Sequence, residues 1–406
     1  MLLDYAERMW RGEIGMDGVL ADPSVWGTAH ELADGVAVVT GFSNVIAFRT
    51  GDGLLLFDTG GEFAATATHR AVRQWCADPV RYVVYSHGHV DHVGGMAPFD
   101  AEPDSAPVVI AHEAVPRRFD RYKLTTGYNE VVNQRQFGVP DLRWPREYRY
   151  PDRTFRDLST VELGGLTVTL RHARGETDDH LWAHVPELDL VLSGDLFIWN
   201  APNCGNPQKA QRYPAEWAAA LRAMAEVGAA LLVPGHGPPV VGADRVREAL
   251  TATAEYLESL LDQTLALMNR GARLDEIIHA VTVPAHLAEK PYLRPAYDEP
   301  EFIVRNIWRL YGGWWDGDPA SLKPAPAERM AAVIAELCGG AQVLAERAAH
   351  ALTDEPRVAA RLAELAVRAA PSDESVRATH RAVFTALADA ATSTMARGIY
   401  RAAPGR

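Results

Sequence analysis

Short apolar runs separated by turns dominate the chain from about residue 30 to residue 240. The runs are rich in Val, Ile and Leu and span about four to eight residues, which is typical of buried strands. In chain order they read VAVVTGF, NVIAFRT, LLLFDTGG, RYVVYSHGH, PVVIAH, LTVTLRHA, LWAHV, LDLVLSGD and ALLVPGHG. Helical patterns near residues 64–77 and 214–227 lie between them. Strands and helices in this rhythm predict a layered α/β domain.

The pattern changes after about residue 240 and becomes helical. Residues 245–270 form a long helical pattern, for which Gly271 is a C-cap signal. A region rich in Pro and aromatic residues follows, and the chain is Ala-rich and helical from residue 327. Breaks in that last stretch stand at residues 339–340, 354–356 and 370–374. We predict three or four amphipathic helices there.

Composition and charge narrow the function classes. The chain has 406 residues and a formal net charge of −13, so nucleic acid is not expected as a partner. Its three cysteines are scattered and odd in number, which indicates no disulfide framework. The amino terminus has no apolar core of signal-peptide length, and no apolar stretch approaches the ~20 residues of a membrane span. We therefore expect a cytoplasmic protein with no membrane insertion.

A cluster of metal-ligand residues follows one predicted strand, in YSHGHVDHVGG at residues 85–95. His87 and His89 are two positions apart, so in an extended segment they point to the same side and can share one ion. Asp91 and His92 lie on the turn beyond and can reach a second ion. Imidazole nitrogen and carboxylate oxygen suit zinc, iron or manganese. Three histidines and an aspartate in six positions indicate a metal site rather than a chance loop.

This spacing resembles the HxHxDH signature of the metallo-β-lactamase superfamily. The resemblance continues, in the order of that superfamily, with DTG at residues 58–60, SGD at 193–195 and GH at 235–236. It implies a dinuclear-metal αββα hydrolase fold and adds Asp195 and His236 to the ligands. Asp58 is then expected to hydrogen-bond to the ligands and fix their loop.

Glu176 occupies a ligand position at which most members of the superfamily have a histidine. A glutamate there, together with Pro186, resembles the alkyl sulfatase branch, the SDS-hydrolysing or type III sulfatases. His180 is the competing candidate for this position. His172 and His184 are expected to be structural or to hydrogen-bond to the ligands.

The carboxy-terminal half also resembles the alkyl sulfatases. The segments DQTLALMNRGARLDEI and RNIWRLYGGWWDGDPASLKP resemble the dimerisation region of that family, and the last helices resemble its closing segment up to IYR. We therefore predict a metallo-β-lactamase-like catalytic domain over residues 1–243. An all-helical dimerisation domain is predicted over residues 244–406, and a homodimer is expected.

The family resemblance also implies contacts to the substrate anion. In the sulfatases an Asn and an Arg after the SGD motif hold the sulfate, and the corresponding loop of this chain has a different sequence. Its candidates are Asn200, Lys209 and Arg212, with a second set at Tyr128, Asn129 and Arg135. An aromatic cluster either lines a groove for an alkyl chain or packs between domains: Tyr292, Trp308, Tyr311, Trp314 and Trp315.

Together these features predict a hydrolase with two Zn²⁺ ions and a small anionic ester as substrate. One ion is assigned to His87, His89 and Glu176, and the other to Asp91, His92 and His236. Asp195 is shared, and Asp91 and Asp195 are assigned the catalytic roles. Metal-bridging hydroxide would then cleave an alkyl sulfate ester or a related anionic ester.

Three alternatives stay open from the sequence. In the first, the substrate is a lactone, carboxylic ester, thioester or phosphate ester, because the sequence of the loop after Asp195 differs from that of the sulfatases. The superfamily also includes iron-bearing oxidoreductases, against which Glu176 and the carboxy-terminal region argue. A non-catalytic metal-binding protein is disfavoured because every expected ligand is present.

Overall fold

The computed structural model describes residues 1–16, 25–103 and 106–405. The strands are β1 (Ala29–Ala33), β2 (Val36–Val39), β3 (Val45–Thr50), β4 (Gly53–Phe57), β5 (Val80–Val84), β6 (Val108–His112), β7 (Arg153–Phe155), β8 (Leu158–Leu163), β9 (Leu166–His172), β10 (Leu181–Val185), β11 (Leu190–Gly194), β12 (Leu231–Pro234) and β13 (Val240–Val241). Every strand expected from the apolar runs is confirmed. β1, β7, β8 and β13 are additional and are shorter or more exposed, so their apolar signal is weaker.

The helices in the described residues are α1 (Leu2–Trp10), α2 (Ala65–Trp75), α3 (Val90–Val93), α4 (Ala97–Asp100), α5 (Val115–Leu124), α6 (Thr126–Phe137), α7 (Pro214–Val227), α8 (Ala243–Met268), α9 (Leu274–Ala280), α10 (Ala285–Ala288), α11 (Pro300–Gly312), α12 (Pro319–Leu322), α13 (Ala327–Cys338), α14 (Ala341–Ala351), α15 (Pro356–Ala369), α16 (Glu374–Ala390) and α17 (Thr394–Ala402). Four short 3₁₀ helices complete them, at Glu62–Ala64, Pro186–Leu188, Pro291–Leu293 and Ala403–Gly405. None of these helices is both long and apolar enough to cross a membrane.

Two sheets form the centre of the α/β region. The first has seven strands in the order β1 to β7, antiparallel up to β4 and parallel from β4 to β7. The second has six strands in the order β13-β12-β11-β10-β9-β8, in which the β11–β12 pair is parallel. Parallel neighbours end at the same edge of a sheet, so the loops after β4 and β5 lie side by side, as do those after β11 and β12.

Alternating apolar positions build two faces on each sheet. In β3, Ile46 and Phe48 pack in a core that also holds residues of the second sheet, whereas Val45 and Ala47 pack in a core with α2 and α5. The outer face of the second sheet packs with α7 and α8 in a third core. Helix, sheet, sheet and helix layers follow from this, and the expected αββα architecture is confirmed.

The helix predictions are confirmed in position, with two corrections. α2 and α7 lie where the sequence predicts them, and α7 matches the predicted bounds. α8 ends at Met268, with Asn269 as its C-cap, so the expected cap at Gly271 is wrong by two residues. From residue 327 the chain forms five helices rather than three or four, because α17 follows a further N-cap at Ser393.

The chain divides into two compact units. The first comprises Met1–Thr126, Pro145–Arg270 and Ile277–Tyr311, and it contains both sheets. The second comprises Gly127–Trp144, Gly271–Glu276 and Gly312–Arg406, and its helices α14, α15 and α16 share small cores of Ala, Val, Leu and Phe. The predicted domain boundary at residues 243/244 stays a prediction, and the first unit extends beyond it to include α8.

Candidate metal centre

Four strand ends carry the polar residues that the sequence analysis singled out. Asp58 follows β4 and His87 lies shortly after β5 in the first sheet, while Asp195 and His236 follow β11 and β12 in the second. Because each pair of strands is parallel, its polar ends lie at one edge of its sheet. Packing of the two sheets face to face places these edges together and creates the candidate centre.

One group of potential ligands, here called the first group, consists of His87, His89, Glu176 and Asp195. One ligand atom from each lies within 4.8 Å of those of the others. His87 Nε2 is 2.8 Å from His89 Nδ1 and 3.5 Å from Glu176 Oε2. His87 and Glu176 are buried and His89 is half-buried. The first group therefore aims two ring nitrogens and a carboxylate oxygen at one point.

The second group consists of Asp91, His92 and His236, and its ligand atoms also lie within 4.8 Å of one another. His92 Nε2 and His236 Nε2 lie 3.6 and 3.5 Å from Asp91 Oδ2, respectively. Asp195 adjoins both groups, since its carboxylate oxygens lie 3.2 Å from His92 Nε2 and 3.9 Å from His87 Nε2. The structure thus brings together all seven predicted metal ligands.

The partners of the imidazoles indicate which ring nitrogens face the centre. Ser86 Oγ donates to Asp58 Oδ2, so His87 Nδ1 donates to Ser86 Oγ and His87 Nε2 keeps its lone pair. His92 Nδ1 donates to Asp58 Oδ2 at 2.8 Å, and His236 Nδ1 donates to the carbonyl of Phe42. All three Nε2 atoms are then available as ligands, and these outer hydrogen bonds fix the ring orientations.

Asp58 has the supporting role expected for it and also adopts an unusual backbone conformation. Its φ is +62°, in the left-handed region, which Asp tolerates better than most residues. From there its carboxylate accepts bonds from the Ser86 amide and hydroxyl as well as from His92. One side chain therefore orients a ligand ring in each group, through Ser86 in the first and directly in the second.

Close backbone approach explains the glycine after the histidine cluster. A Cβ on Gly95 would lie 1.9 Å from the carbonyl oxygen of Thr59, so no other residue fits beside the loop after β4. Gly235 has the same role before His236, since its Cβ would lie 2.1 Å from Asp195 Oδ1. Both glycines let ligand-bearing loops touch.

Glu176 is held by two buried residues that follow Asp195 in the chain. Arg212 Nη1 and Asn203 Nδ2 both donate to Glu176 Oε1, at 2.6 and 2.5 Å. Arg212 is thus placed on a candidate ligand rather than in open space. Asn203 was missed by the sequence analysis, which named Asn200, and its only sequence signal is its position in the same loop.

His180 lies beside the centre with a different set of contacts. Its Nε2 accepts the amide of Asp195 at 3.1 Å, and its ring stacks on His87 with the centroids 4.6 Å apart. With Nε2 occupied, His180 belongs to neither ligand group. His172 stacks on His112, with ring centroids 3.7 Å apart, and His184 lies half-buried on β10.

Arg118 and Asp179 form a buried ion pair that the sequence analysis missed. Arg118 Nε donates to Asp179 Oδ2 at 2.6 Å, and the same oxygen accepts the amide of Gly88 at 3.2 Å. Gly88 stands between the ligands His87 and His89. The pair therefore holds the backbone of the histidine loop, and its sequence signal is no more than the acidic run that follows Glu176.

The predicted substrate-binding residues fall in different places. Lys209 is half-buried, and burial together with the charge of Arg212 lowers its pKa to about 8, against the opposing pull of Asp91 and Glu176. Its ammonium therefore senses residues of both ligand groups. Asn200 is half-buried in the same loop. The other set belongs to the second unit and stays a prediction: Tyr128, Asn129 and Arg135.

The aromatic residues divide in a way that sequence could not show. Tyr292 is buried and stacks on Trp10, with centroids 5.2 Å apart, so it is a core residue. Beside the second group lie two other rings, Phe42 at 5.3 Å from the His236 ring and Phe63 at 6.5 Å from Phe42. Phe63 is 73% exposed, although it is a large apolar side chain.

The electrostatics of the centre favour bound positive charge. Burial would raise the pKa of Asp195, but His236 and His92 hold it well below its usual range. Burial would lower the pKa of His236, yet Asp195 raises it to about 9. Glu176 Oε2 and Asp195 Oδ1 are buried and accept no well-aligned hydrogen bond among the described residues. Buried carboxylate oxygens of this kind need a cation, so the donor set fits divalent metal ions.

Comparison with known proteins agrees with this geometry. The family model of the metallo-beta-lactamase superfamily matches residues 38–236, and that of alkyl sulfatase dimerisation matches residues 273–405. The two models together cover the α/β strands that carry the ligands and most of the helical remainder. These matches show the resemblance to the metallo-beta-lactamase superfamily and its alkyl sulfatases that the sequence motifs predict.

Similar proteins carry sulfatase names. A linear primary-alkylsulfatase from Pseudomonas sp. (strain ATCC 19151) is 29% identical over 80% of this chain and 66% of its own length. An alkyl/aryl-sulfatase, BDS1, from Saccharomyces cerevisiae is 23% identical over 80% of this chain and 56% of its own length. The chain therefore spans less than two thirds of the length of these curated relatives.

A solved structure shares the fold across most of the chain. The stereoselective inverting sec-alkylsulfatase Pisa1 from Pseudomonas sp. superposes with a TM-score of 0.83 at 24% identity. The match covers 92% of this chain and 64% of that one. The αββα fold and the helical region that follows it are therefore those of a known alkylsulfatase structure.

Proposed function

We propose that this protein is a metal-dependent hydrolase of alkyl sulfate esters. The observation that carries the proposal is the convergence of the two ligand groups on a shared Asp195, with a glutamate in the first group. Its similarity to alkylsulfatases in both halves of the chain supports the same substrate class. The reaction converts an alkyl sulfate and water into an alcohol and hydrogen sulfate.

Two Zn²⁺ ions are the proposed cofactors. His87, His89 and Glu176 would hold one, Asp91, His92 and His236 the other, and Asp195 would contact both. When bound, such ions supply Lewis acidity, which lowers the pKa of water towards ~7 and accepts charge that develops on the ester. Imidazoles with free Nε2 lone pairs and deprotonated carboxylates are the ligand forms this requires.

The residues of the chain then orient the reactants. The carboxylates of Asp91 and Asp195 accept hydrogen bonds from the attacking water and direct its lone pair at the ester. Lys209 is proposed to contact the sulfate, because its partly buried ammonium lies in the field of both ligand groups while the chain as a whole is acidic. A positive contact of this kind admits an anion to an acidic protein.

The apolar part of the substrate is proposed to lie along Phe42 and Phe63. These rings adjoin His236, so an ester whose head group is at the metals would direct its alkyl chain across them. Partial burial of the exposed Phe63 ring against the chain would contribute to affinity.

A homodimer in the cytoplasm is proposed for the assembly. Residues 273–405 match a dimerisation region, and the second unit exposes large apolar side chains such as Trp314 and Leu337. Light scattering of the purified chain, with the mass of one or two copies as the readout, tests the assembly.

Sulfate release from a medium-chain alkyl sulfate tests the activity. Purified protein is assayed for sulfate and alcohol alongside metal content, with Glu176→Ala as the matched control. Metal-dependent release that is lost in the control supports the proposal. Full metal loading without release would retain the metal centre and reject the sulfate ester as substrate.

A further inference from the structure

Arg212 and Asn203 contact the same oxygen of Glu176 and leave the other free. Oε1 accepts from Arg212 Nη1 at 2.6 Å and from Asn203 Nδ2 at 2.5 Å. Oε2 lies 3.5 and 3.3 Å from the facing nitrogens of His87 and His89. The two oxygens thus have separate roles. We infer that Arg212 and Asn203 are positioning residues that fix Glu176 as a one-oxygen metal ligand, and that Arg212 is not the sulfate contact.

Arg212 is itself held from several sides. Its side chain is 3% exposed, and Nη1 also donates to the carbonyl of Asn203. The Arg212 carbonyl accepts Asn306 Nδ2 at 3.0 Å, which ties the backbone at this point to α11. The Nε atom of the guanidinium is buried and makes no hydrogen bond to the described residues. An arginine anchored in this way cannot swing towards a substrate without releasing Glu176.

The charge balance of the first group explains why such an anchor is needed. Glu176 and Asp195 put two buried carboxylates beside the same imidazoles. A planar guanidinium offsets the extra charge and, through directed donors, sets the carboxylate plane. Asn203 adds a second donor without adding charge. Together they prevent Glu176 from turning both oxygens to the metal.

Lys209 can be compared with Arg212, because it is a second cation three positions earlier in the same loop. The charge of Lys209 is influenced by Arg212, Asp91 and Glu176. The two cations have separate roles in the proposal: Arg212 holds Glu176, and Lys209 is the proposed sulfate contact. This division rests on the proposed metal centre and on no particular ester.

Metal binding by matched variants tests the inference. Arg212→Met, Asn203→Leu and Lys209→Met are purified as full chains, loaded with Co²⁺ and titrated with a chelator while visible absorption is followed. We expect Arg212→Met to lose about 10- to 100-fold in affinity for one of two ions, because that is the usual effect of removing a ligand's hydrogen-bond partner. We expect Asn203→Leu to lose less affinity for the same ion. Lys209→Met binds both ions as the wild type does, with a raised KM for the ester.

A double-mutant cycle distinguishes positioning from a general loss of structure. In a Glu176→Ala background, Arg212→Met should change the affinity for the same ion by less than about twofold, because the acceptor of the Arg212 hydrogen bond has already been removed. Full additivity would overturn the inference. So would an Arg212→Met variant that binds two ions with unchanged affinity but has a raised KM, since that result makes Arg212 the sulfate contact.

Folding is checked by far-UV circular dichroism. If Arg212→Met does not fold, Asn203→Leu tests the inference instead. Weaker binding of one ion alone supports the inference, and unchanged binding of both ions overturns it. The two proposals fail in different ways. A wild-type chain that binds no divalent metal rejects the proposed function, whereas two ions bound equally by wild type and variants reject only the positioning roles.

Discussion

The two ligand groups are supported by different kinds of contact. In the first group, Glu176 and the loop backbone at Gly88 are held by buried arginines, Arg212 and Arg118, the latter through Asp179. In the second group, His92 is held by Asp58, which follows β4, and His236 is held by the carbonyl of Phe42 in the loop between β2 and β3. Ion pairs with residues distant in the chain thus support the first group, and residues next to the strands of the first sheet support the second. Substitutions should therefore separate the two halves.

The largest effect is expected where the two groups meet. Asp195→Asn removes a charge that adjoins both groups, so we expect weaker binding of both ions. We also expect kcat to fall by at least about a hundredfold, because losing only the hydrogen-bond partner of a ligand already costs up to that much. Metal content and sulfate release measure it. Asp189→Asn, an exposed change at the start of the same strand, is the control. Normal loading of both ions by Asp195→Asn would show that the halves are independent.

A smaller and more selective effect is expected at Asp58. Asp58→Asn keeps a residue that tolerates the left-handed backbone but removes the charge behind His92, so binding at the second group should weaken by about 10- to 100-fold. Chelator titration of the Co²⁺-loaded protein resolves the two ions. Asp52→Asn, exposed before β4, is the control. A greater loss at the first group would reverse the comparison.

Stability at low pH tests the ion pair beneath the first group. Burial would raise the pKa of Asp179, but Arg118 lowers it to about 2, so its contribution is full above pH ~4 and is lost as the pH falls from ~4 to ~2. Asp179→Asn should remove up to about 2 kcal/mol of unfolding free energy at neutral pH, and flatten that acid dependence. Urea unfolding at several pH values measures it. Asp178→Asn, a more exposed partner of Arg118, should cost less. Equal losses in both variants would contradict the assigned role.

The smallest effect is expected at the exposed ring beside the second group. Phe63→Ala should raise the KM for a twelve-carbon alkyl sulfate by about three- to tenfold and leave a short-chain substrate unchanged, because partial burial of each methylene contributes less than ~0.8 kcal/mol. The ratio kcat/KM is measured against chain length. Leu158→Ala, an exposed apolar change on the edge strand β8, is the control. An equal effect at every chain length would place the alkyl chain elsewhere.

Much of the fold and of the ligand set could be predicted from local patterns. Short apolar runs predict the buried strands. The bounds of α7 were predicted correctly from Pro214 at its start and from the end of its periodic pattern. The loop HGHVDH names four of the seven ligand candidates within six positions, because the spacing of side chains on a strand end and turn is a local property. The family resemblance supplied the three remaining candidates, Glu176, Asp195 and His236.

The support of those ligands depends on tertiary structure. Glu176 and Arg212 are separated by 36 positions and Arg118 and Asp179 by 61, and no local pattern specifies such pairs. Sequence alone therefore could not distinguish Arg212 from Lys209 as the contact to the substrate anion. It also left His180 as an alternative to Glu176 at one ligand position. Sequence determined which residue types stand at the strand ends, since hydrophobic periodicity and short spacings act locally. Packing of the two sheets decided which side chains meet there, because burial leaves each charge only the partners that the fold brings within reach.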